Sequence, residues 1–268
     1  MNLHKAYYKD YFNGIVNWDN IKDSRNINAV RQHNAKLTHE RLKTPDDNDL
    51  GQDVKKINLK IQYPGFVTGI GINHEAGIEG EFKLGMHFDW THGMPVVYGS
   101  SVKGVLRSWF MDIYDQEKYG IDAGDLLMDI FEGATARDID SERKKYKDGW
   151  AEKTKKPENR IYMKNKSIYN RDIFFDAVLT SADSKGRILC SDSITPHNDN
   201  PLKDPIPLTF LKIAPGCTLE FRFKLVNSVI DGKTLSADDK REIFKEILTT
   251  VGVGAKTNVG YGQLKEVK

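Results

Sequence analysis

The residues of this 268-residue chain able to move protons are seven histidines and a scatter of carboxylates. His74, His92 and His197 fall in loop-like stretches, where a general acid and base would sit, yet spacing gives none of them a partner. His87-x-Asp89-x-x-His92 has chelating spacing, but it spans an apparent hairpin closing at Thr91-His92-Gly93. A hairpin explains Asp89 as turn polarity. HEAGI at 74–78 is not a zinc-protease motif, because Ile78 stands where the second histidine is required. Cys190 and Cys217 are too few for a disulfide framework or a four-cysteine zinc site, and they suit a reducing compartment. The expectation is therefore no catalytic residue, no metal and no cofactor.

Two other stretches suggest anion binding. In VGVGAKTNVGYGQL, residues 251–264, Gly252, Gly254, Gly260 and Gly262 surround Lys256, Thr257 and Asn258, with Tyr261 between the last two glycines. A nucleotide P-loop would need glycine where Ala255 stands and would precede a helix, whereas this loop follows one. A dinucleotide fingerprint would need glycine at Thr257. A helix C-cap explains one or two of the glycines. The rest suggest an extended partner lying on the main chain, with backbone N–H groups and Lys256 meeting phosphates. In YGSSVKGVLRSW, residues 98–109, Gly99 lets the chain turn into a helix capped by Ser100 or Ser101. Lys103 and Arg107, at i and i+4, share one face above that helix N-terminus, which favours phosphate. A capped helix with a solvated basic face explains the same spacing.

The elements that must position these stretches are legible from periodicity. Val102, Val105, Leu106, Trp109, Phe110 and Ile113 mark an amphipathic helix, and Ile243, Phe244, Ile247, Leu248 and Val251 mark another, opened by Ser236 and Asp239 in a capping-box pattern. A short helix is expected at AGDLLMDIFEG. Alternation predicts a strand in VKKINLKIQY, and β-like runs follow in RDIFFDAVL, GRILCSDSIT and PLTFLKIAPGCTLEFRFKLV, with a last strand in YGQLKEV. The core order is β, α, β, β, α, β, a ferredoxin-like α+β pattern shared by RNA-recognition domains.

Residues 1–53 read as a helical N-terminal extension and linker, basic and aromatic, with eight Lys and Arg against four acids over residues 1–44. Residues 54–268 read as one domain carrying a basic insertion at 137–170 and a proline-rich excursion at 195–208. Eleven Lys and Arg against four acids between Ser141 and Arg171, with few aliphatics, predict a partly mobile segment. A composition of 29% charged and 39% hydrophobic residues is that of a globular protein, and a net charge of +2 leaves any partner to local patches. No apolar run approaches a membrane span and the start lacks a signal-peptide core, so an intracellular, cytoplasmic protein is expected.

GSSVKGVLR together with GVGAKTNVGYG resembles the RAMP superfamily of CRISPR proteins. FFDA at 174–177, ITPH at 194–197 and PIPLTFLKIAPG at 205–216 resemble the sixth-subunit family of the Cmr complex, the type III-B effector. The resemblance covers about residues 57–268. It implies a non-catalytic RNA-binding subunit with guide RNA, target RNA and other Cmr subunits as partners, sitting near the guide 3′ end. Carried over by position, Gly99, Ser100, Ser101, Lys103 and Arg107 would hold the guide backbone. Gly252, Gly254, Lys256, Thr257, Asn258 and Tyr261 would continue that track. The 195–208 excursion with His197 would be a thumb between guide and target. Relatives often carry isoleucine-proline where Val97-Tyr98 stands here, so the turn differs locally. The neighbouring nuclease subunit has an aspartate whose corresponding place here is near Lys83, which is no acid. The alternatives are a guide-RNA-processing endoribonuclease on the same fold and a protein-interaction scaffold.

Overall fold

A computed structural model describes residues 1–43, 51, 53–69, 72–138, 160–163, 166–195 and 207–267. Most of the 45–53 linker, of the 137–170 insertion and of the 195–208 excursion, with His197, lies outside the described residues. The elements are α1 (Leu3–Tyr8), α2 (Ser24–His39), β1 (Val54–Ile61), β2 (Val96–Val97), α3 (Gly99–Ile113), α4 (Gln116–Tyr119) and α5 (Ala123–Glu132). There follow β3 (Thr135–Asp138), β4 (Arg160–Met163), β5 (Ile173–Phe174), β6 (Ala177–Ser181), β7 (Leu189–Ile194), β8 (Leu208–Ile213) and β9 (Thr218–Lys224). The chain closes with β10 (Ser228–Ile230), β11 (Lys233–Leu235), α6 (Ala237–Val251) and β12 (Leu264–Glu266).

The main sheet runs β12-β1-β9-β6-β2, with β5 also paired to β9, and every pairing is antiparallel. GRILCSDSIT does not join it. Its strand β7 pairs only with β8, from Leu189↔Ile213 to Ile194↔Leu208, as a separate hairpin. On one face of the main sheet, Ile57, Leu59 and Ile61 of β1 lie beside Leu219, Phe221 and Phe223 of β9, and all are buried. α3 and α6 pack on each other and on this face. Phe244 of α6 brings its ring within 5.5 Å of Phe223 and 5.8 Å of Phe174. The expected capping box opens α6: Ser236 accepts from Asp239 N–H, and Asp239 accepts from Ser236 N–H.

Because successive side chains alternate along a strand, the other face carries Lys56, Asn58 and Lys60 beside Arg222, Glu220 and Thr218. Arg222 Nε donates to Glu220 at 2.7 Å, and Lys56 Nζ lies 3.3 Å from the same carboxylate. RNA-recognition motifs stack bases on aromatics from this type of face. Here the phenylalanines of β9 point the other way.

The N-terminal helices share the main hydrophobic core. Leu3, Tyr7 and Tyr11 are buried. Tyrosine hydroxyls tie the segment to the 82–86 backbone: Tyr8 donates to Met86 C=O at 2.6 Å, and Phe82 N–H donates to Tyr11 at 2.8 Å.

A polar group far from water also fixes α6. Lys240 Nζ donates to Asp172 at 2.6 Å and to Val226 C=O at 2.7 Å, while the Asp172 carboxylate accepts from Val226 N–H at 2.8 Å. Both side chains are fully buried, so each charge depends on the other. Removing one leaves an uncompensated buried ion, a loss of about 3–5 kcal/mol, whereas replacing both with apolar groups is far less damaging. Urea unfolding should show Lys240→Met destabilised by about that amount, with Lys240→Met/Asp172→Leu recovering most of it.

Candidate functional site

The two motifs singled out in the sequence form facing walls of one cleft of about 380 Å³. Ser101, Gly104, Val105, Ser108 and Trp109 line it from α3, and Val253, Gly254 and Ala255 line it from the glycine loop. Thr68, Gly69, His87 and Val97 complete it. The spacing S-x-x-G-V-x-x-S puts small and hydroxyl side chains on one stripe of α3, a face distinct from the buried Val102, Leu106 and Phe110. Val105 and Trp109, expected in the core from periodicity, belong to the cleft, and Trp109 is 47% exposed.

The helix start differs from expectation. Tyr98 occupies the N-cap without a side-chain bond, so neither Ser100 nor Ser101 caps the helix. Asp176, from the FFDA string, accepts from Gly99 N–H at 2.7 Å. The carboxylate supplies the negative charge that a helix N-terminus favours, so that end already has its anion. A Cβ on Gly99 would sit 2.2 Å from Phe174 C=O, and only glycine allows this approach. His87 stacks on Tyr98 with ring centroids 4.0 Å apart, and burial pushes its pKa below the ordinary value against the opposing pull of Asp176.

Lys103 and Arg107 do not line the cleft. Lys103 Nζ lies 5.9 Å from the Phe174 ring centroid, and Arg107 Nε is 3.2 Å from Glu132 of α5. Their i,i+4 relation holds, but it carries them toward β5 and α5.

The glycines are filled from within the chain. Ala255 N–H donates to Val67 C=O at 2.8 Å, Gly262 N–H to Gly65 C=O at 2.8 Å and Val253 N–H to Gly262 C=O at 3.0 Å. Gly254 has φ +95°, and a Cβ there would lie 2.4 Å from Val67 C=O; at Gly262, φ +72°, it would lie 1.8 Å from Val253 C=O. Gly252 is crowded in the same way by Gly262 C=O. These close approaches explain the cluster without an outside partner. Lys256 adopts a left-handed φ of 61° and opens a 3-10 turn over Thr257–Val259. Asn258 is exposed and Thr257 half-buried. Tyr261 is 7% exposed and donates to Asp192 Oδ2 at 2.7 Å, so it supports the loop from beneath. Lys212 pairs with the same carboxylate.

The proton-moving candidates have structural partners. Asp89 accepts from Thr91 and His92 N–H groups at the hairpin turn, closed by a Phe88↔Pro95 bridge. His74, 7% exposed, stacks between Tyr7 at 4.5 Å and Tyr11 at 4.3 Å, with Nε2 3.0 Å from Tyr7 C=O. Among the described residues, no three His, Cys, Asp or Glu cluster as a metal site, and no helix is long and apolar enough to cross a membrane.

An antiparallel sheet with two helices on its buried face, and a cleft walled by helix and glycine loop, defines a mixed α/β binding module. The chain belongs to the RAMP superfamily, which matches residues 58–265. A chain in a cryo-EM structure of the type III-B Cmr-beta bound to cognate target RNA shares the fold. The TM-score is 0.54 at 18% identity, over 92% of this chain and 73% of that one. Cmr6 from Pyrococcus furiosus aligns at 19% identity over 80% of this chain and 98% of that one, with a TM-score of 0.36. No curated protein matches by sequence.

Two measurements check this site. Gly254→Ala should lower the melting temperature sharply, because a strained φ and a backbone clash act together, whereas Gly104→Ala, with open space around its Cβ, should leave it equal or higher. Burial lowers the His74 pKa from 6.5 to about 4, so the unfolded chain binds the extra proton. The contribution is complete above pH 6.5 and is lost as pH falls towards 4, about 2 kcal/mol between pH 7 and 5. Urea titrations at the two pH values should show that loss in the wild type and a flatter response in His74→Phe.

Proposed function

We propose that this chain is a non-catalytic RNA-binding subunit of a type III-B CRISPR effector, holding guide RNA near its 3′ end beside target RNA and other Cmr subunits. The observation that carries the reading is the shared cleft: the α3 hydroxyl stripe faces the glycine loop across a gap open to an extended ligand. Hydroxyls of Ser101, Ser108 and Thr68 suit phosphate oxygens and ribose 2′-OH groups, and the half-exposed Trp109 indole suits a stacked base. Lys256, next to the lining residue Ala255, adds charge; Lys103 and Arg107 extend the field from the neighbouring face. The β12-β1-β9-β6 order, with α3 and α6 as crossovers, supports the ferredoxin-like reading, and the superfamily match supports the assignment to a CRISPR complex. Such a complex works in the cytoplasm.

The non-catalytic part rests on Asp89 and His74 being spent on turn and core. In binding assays with single-stranded guide-like RNA, Trp109→Ala should lose about 1–3 kcal/mol of affinity. Gly104→Met should weaken binding by blocking the cleft while melting stays unchanged. The RNA should be recovered at full length. Shortened RNA would favour the guide-processing endoribonuclease, and absence of both binding and cleavage would favour the scaffold.

A further inference from the structure

A second cavity of about 430 Å³ lies where the end of α2 meets the turn from β6 into β7. Four of its lining residues are cationic or titrate to a cation: His39, Arg41, Lys185 and Arg187. Thr38, Ser191 and Cys190 contribute a hydroxyl, a second hydroxyl and a thiol. Its volume falls in the range of ligand pockets, roughly 300–1,000 Å³.

The charge is not internally balanced. Arg187 is matched by Asp183, with Nε at 2.9 Å and Nη2 at 2.8 Å from its carboxylate. Arg41 spends only Nη1, on the carbonyls of Lys185 and Gly186, so it meets no acid among the described residues. Lys185 has no bonded side-chain partner there either. A guanidinium has five N–H donors, so Arg41 keeps a fork free for an oxyanion. No aromatic ring lines the cavity. Its chemistry therefore fits a phosphate and offers nothing to stack a base.

The position adds a direction. Cys190 of the cavity and Asp192 beneath Tyr261 are two residues apart on β7, so they share a strand face and lie about 7 Å apart along it. We propose that RNA running over the glycine loop continues into this cavity, where Arg41 and Lys185 hold a backbone phosphate. This rests on the RNA-binding reading above and makes the N-terminal segment part of the RNA path.

Anisotropy titrations of short single-stranded RNA over a range of salt test it, with Lys185→Glu, Lys185→Arg and Arg41→Gln/Lys185→Glu beside wild type. Lys185→Glu should weaken binding about tenfold and Lys185→Arg should retain it. The double variant should flatten the salt slope by about 1.4, at 0.7 per lost phosphate contact. RNA should also slow alkylation of Cys190 in wild type, a local readout that Cys217, buried, does not share. If wild type binds RNA and the variants bind it equally with the same slope, the cavity is overturned while the RNA reading stands. If wild type binds no RNA, that reading fails, and pyrophosphate replaces RNA as probe. Cys190 protection lost in Lys185→Glu would then support the anion site, and absence of protection would overturn it.

Discussion

The backbone seam between residues 65–67 and 253–262 is the constraint on which the rest of the structure depends. Hydrogen bonds from Ala255 to Val67 and from Gly262 to Gly65 pull the loop against the end of β1, while Gln62 N–H donates to Gln263 C=O at 2.9 Å. The seam thus prolongs the β1–β12 ladder beyond its last regular pair. Two main chains this close leave no volume for side chains, which is the physical reason for Gly254 and Gly262. Once the seam is set, α6 must end at Gly252 and β12 must return beside β1. The loop then faces α3 across the cleft, so a local packing rule fixes the geometry of a surface site.

Polar pairing decides which cations remain for a partner. The chain has 40 Lys and Arg against 38 acids, a balance that says nothing about location. Folding sorts them: Lys240 is spent on Asp172, Lys212 on Asp192, Arg222 on Glu220, and Arg107 leans on Glu132. The open sheet face is correspondingly quiet, with Glu220 matched by Arg222 and Lys56. Positive charge without a matched acid collects instead beside the α2–β7 junction. A nearly neutral chain can therefore present a basic surface, because the acids are withdrawn into pairs and the leftover cations are not.

The periodic elements were legible in the sequence because burial imposes its own spacing. α3, α6 with its capping box, β1, β9 and the hairpin at Thr91–Gly93 all follow from apolar period and turn chemistry. The cleft was half legible: both of its motifs stood out, yet the reasons assigned to them were partly wrong. Gly254 and Gly262 answer to Val67 and Val253, contacts far apart in sequence that no local pattern encodes. Asp176 caps α3 from a strand 77 residues away, so serines at the helix start looked like caps when they were not. Lys103 and Arg107 shared a face as predicted, but which neighbour that face meets is a tertiary fact. The S-x-x-G-V-x-x-S stripe was readable, and the stronger apolar stripe beside it drew Val105 and Trp109 into the wrong set.

What the two surfaces offer a ligand is different in kind. The cleft has hydroxyls, an indole and main chain, groups that meet sugar, base plane and phosphate, while the cavity at α2 has cations and no ring. Neither presents side-chain amides or carboxylates in the bidentate arrangements that read base edges. A strand held by both would be gripped through features every nucleotide shares. That suits a chain whose ligand varies in sequence, because selectivity is then left to base pairing and the protein supplies only path and register. The seam is what makes such a path rigid: its carbonyls and N–H groups are already paired with each other, so a ligand meets a surface that does not have to reorganise to receive it.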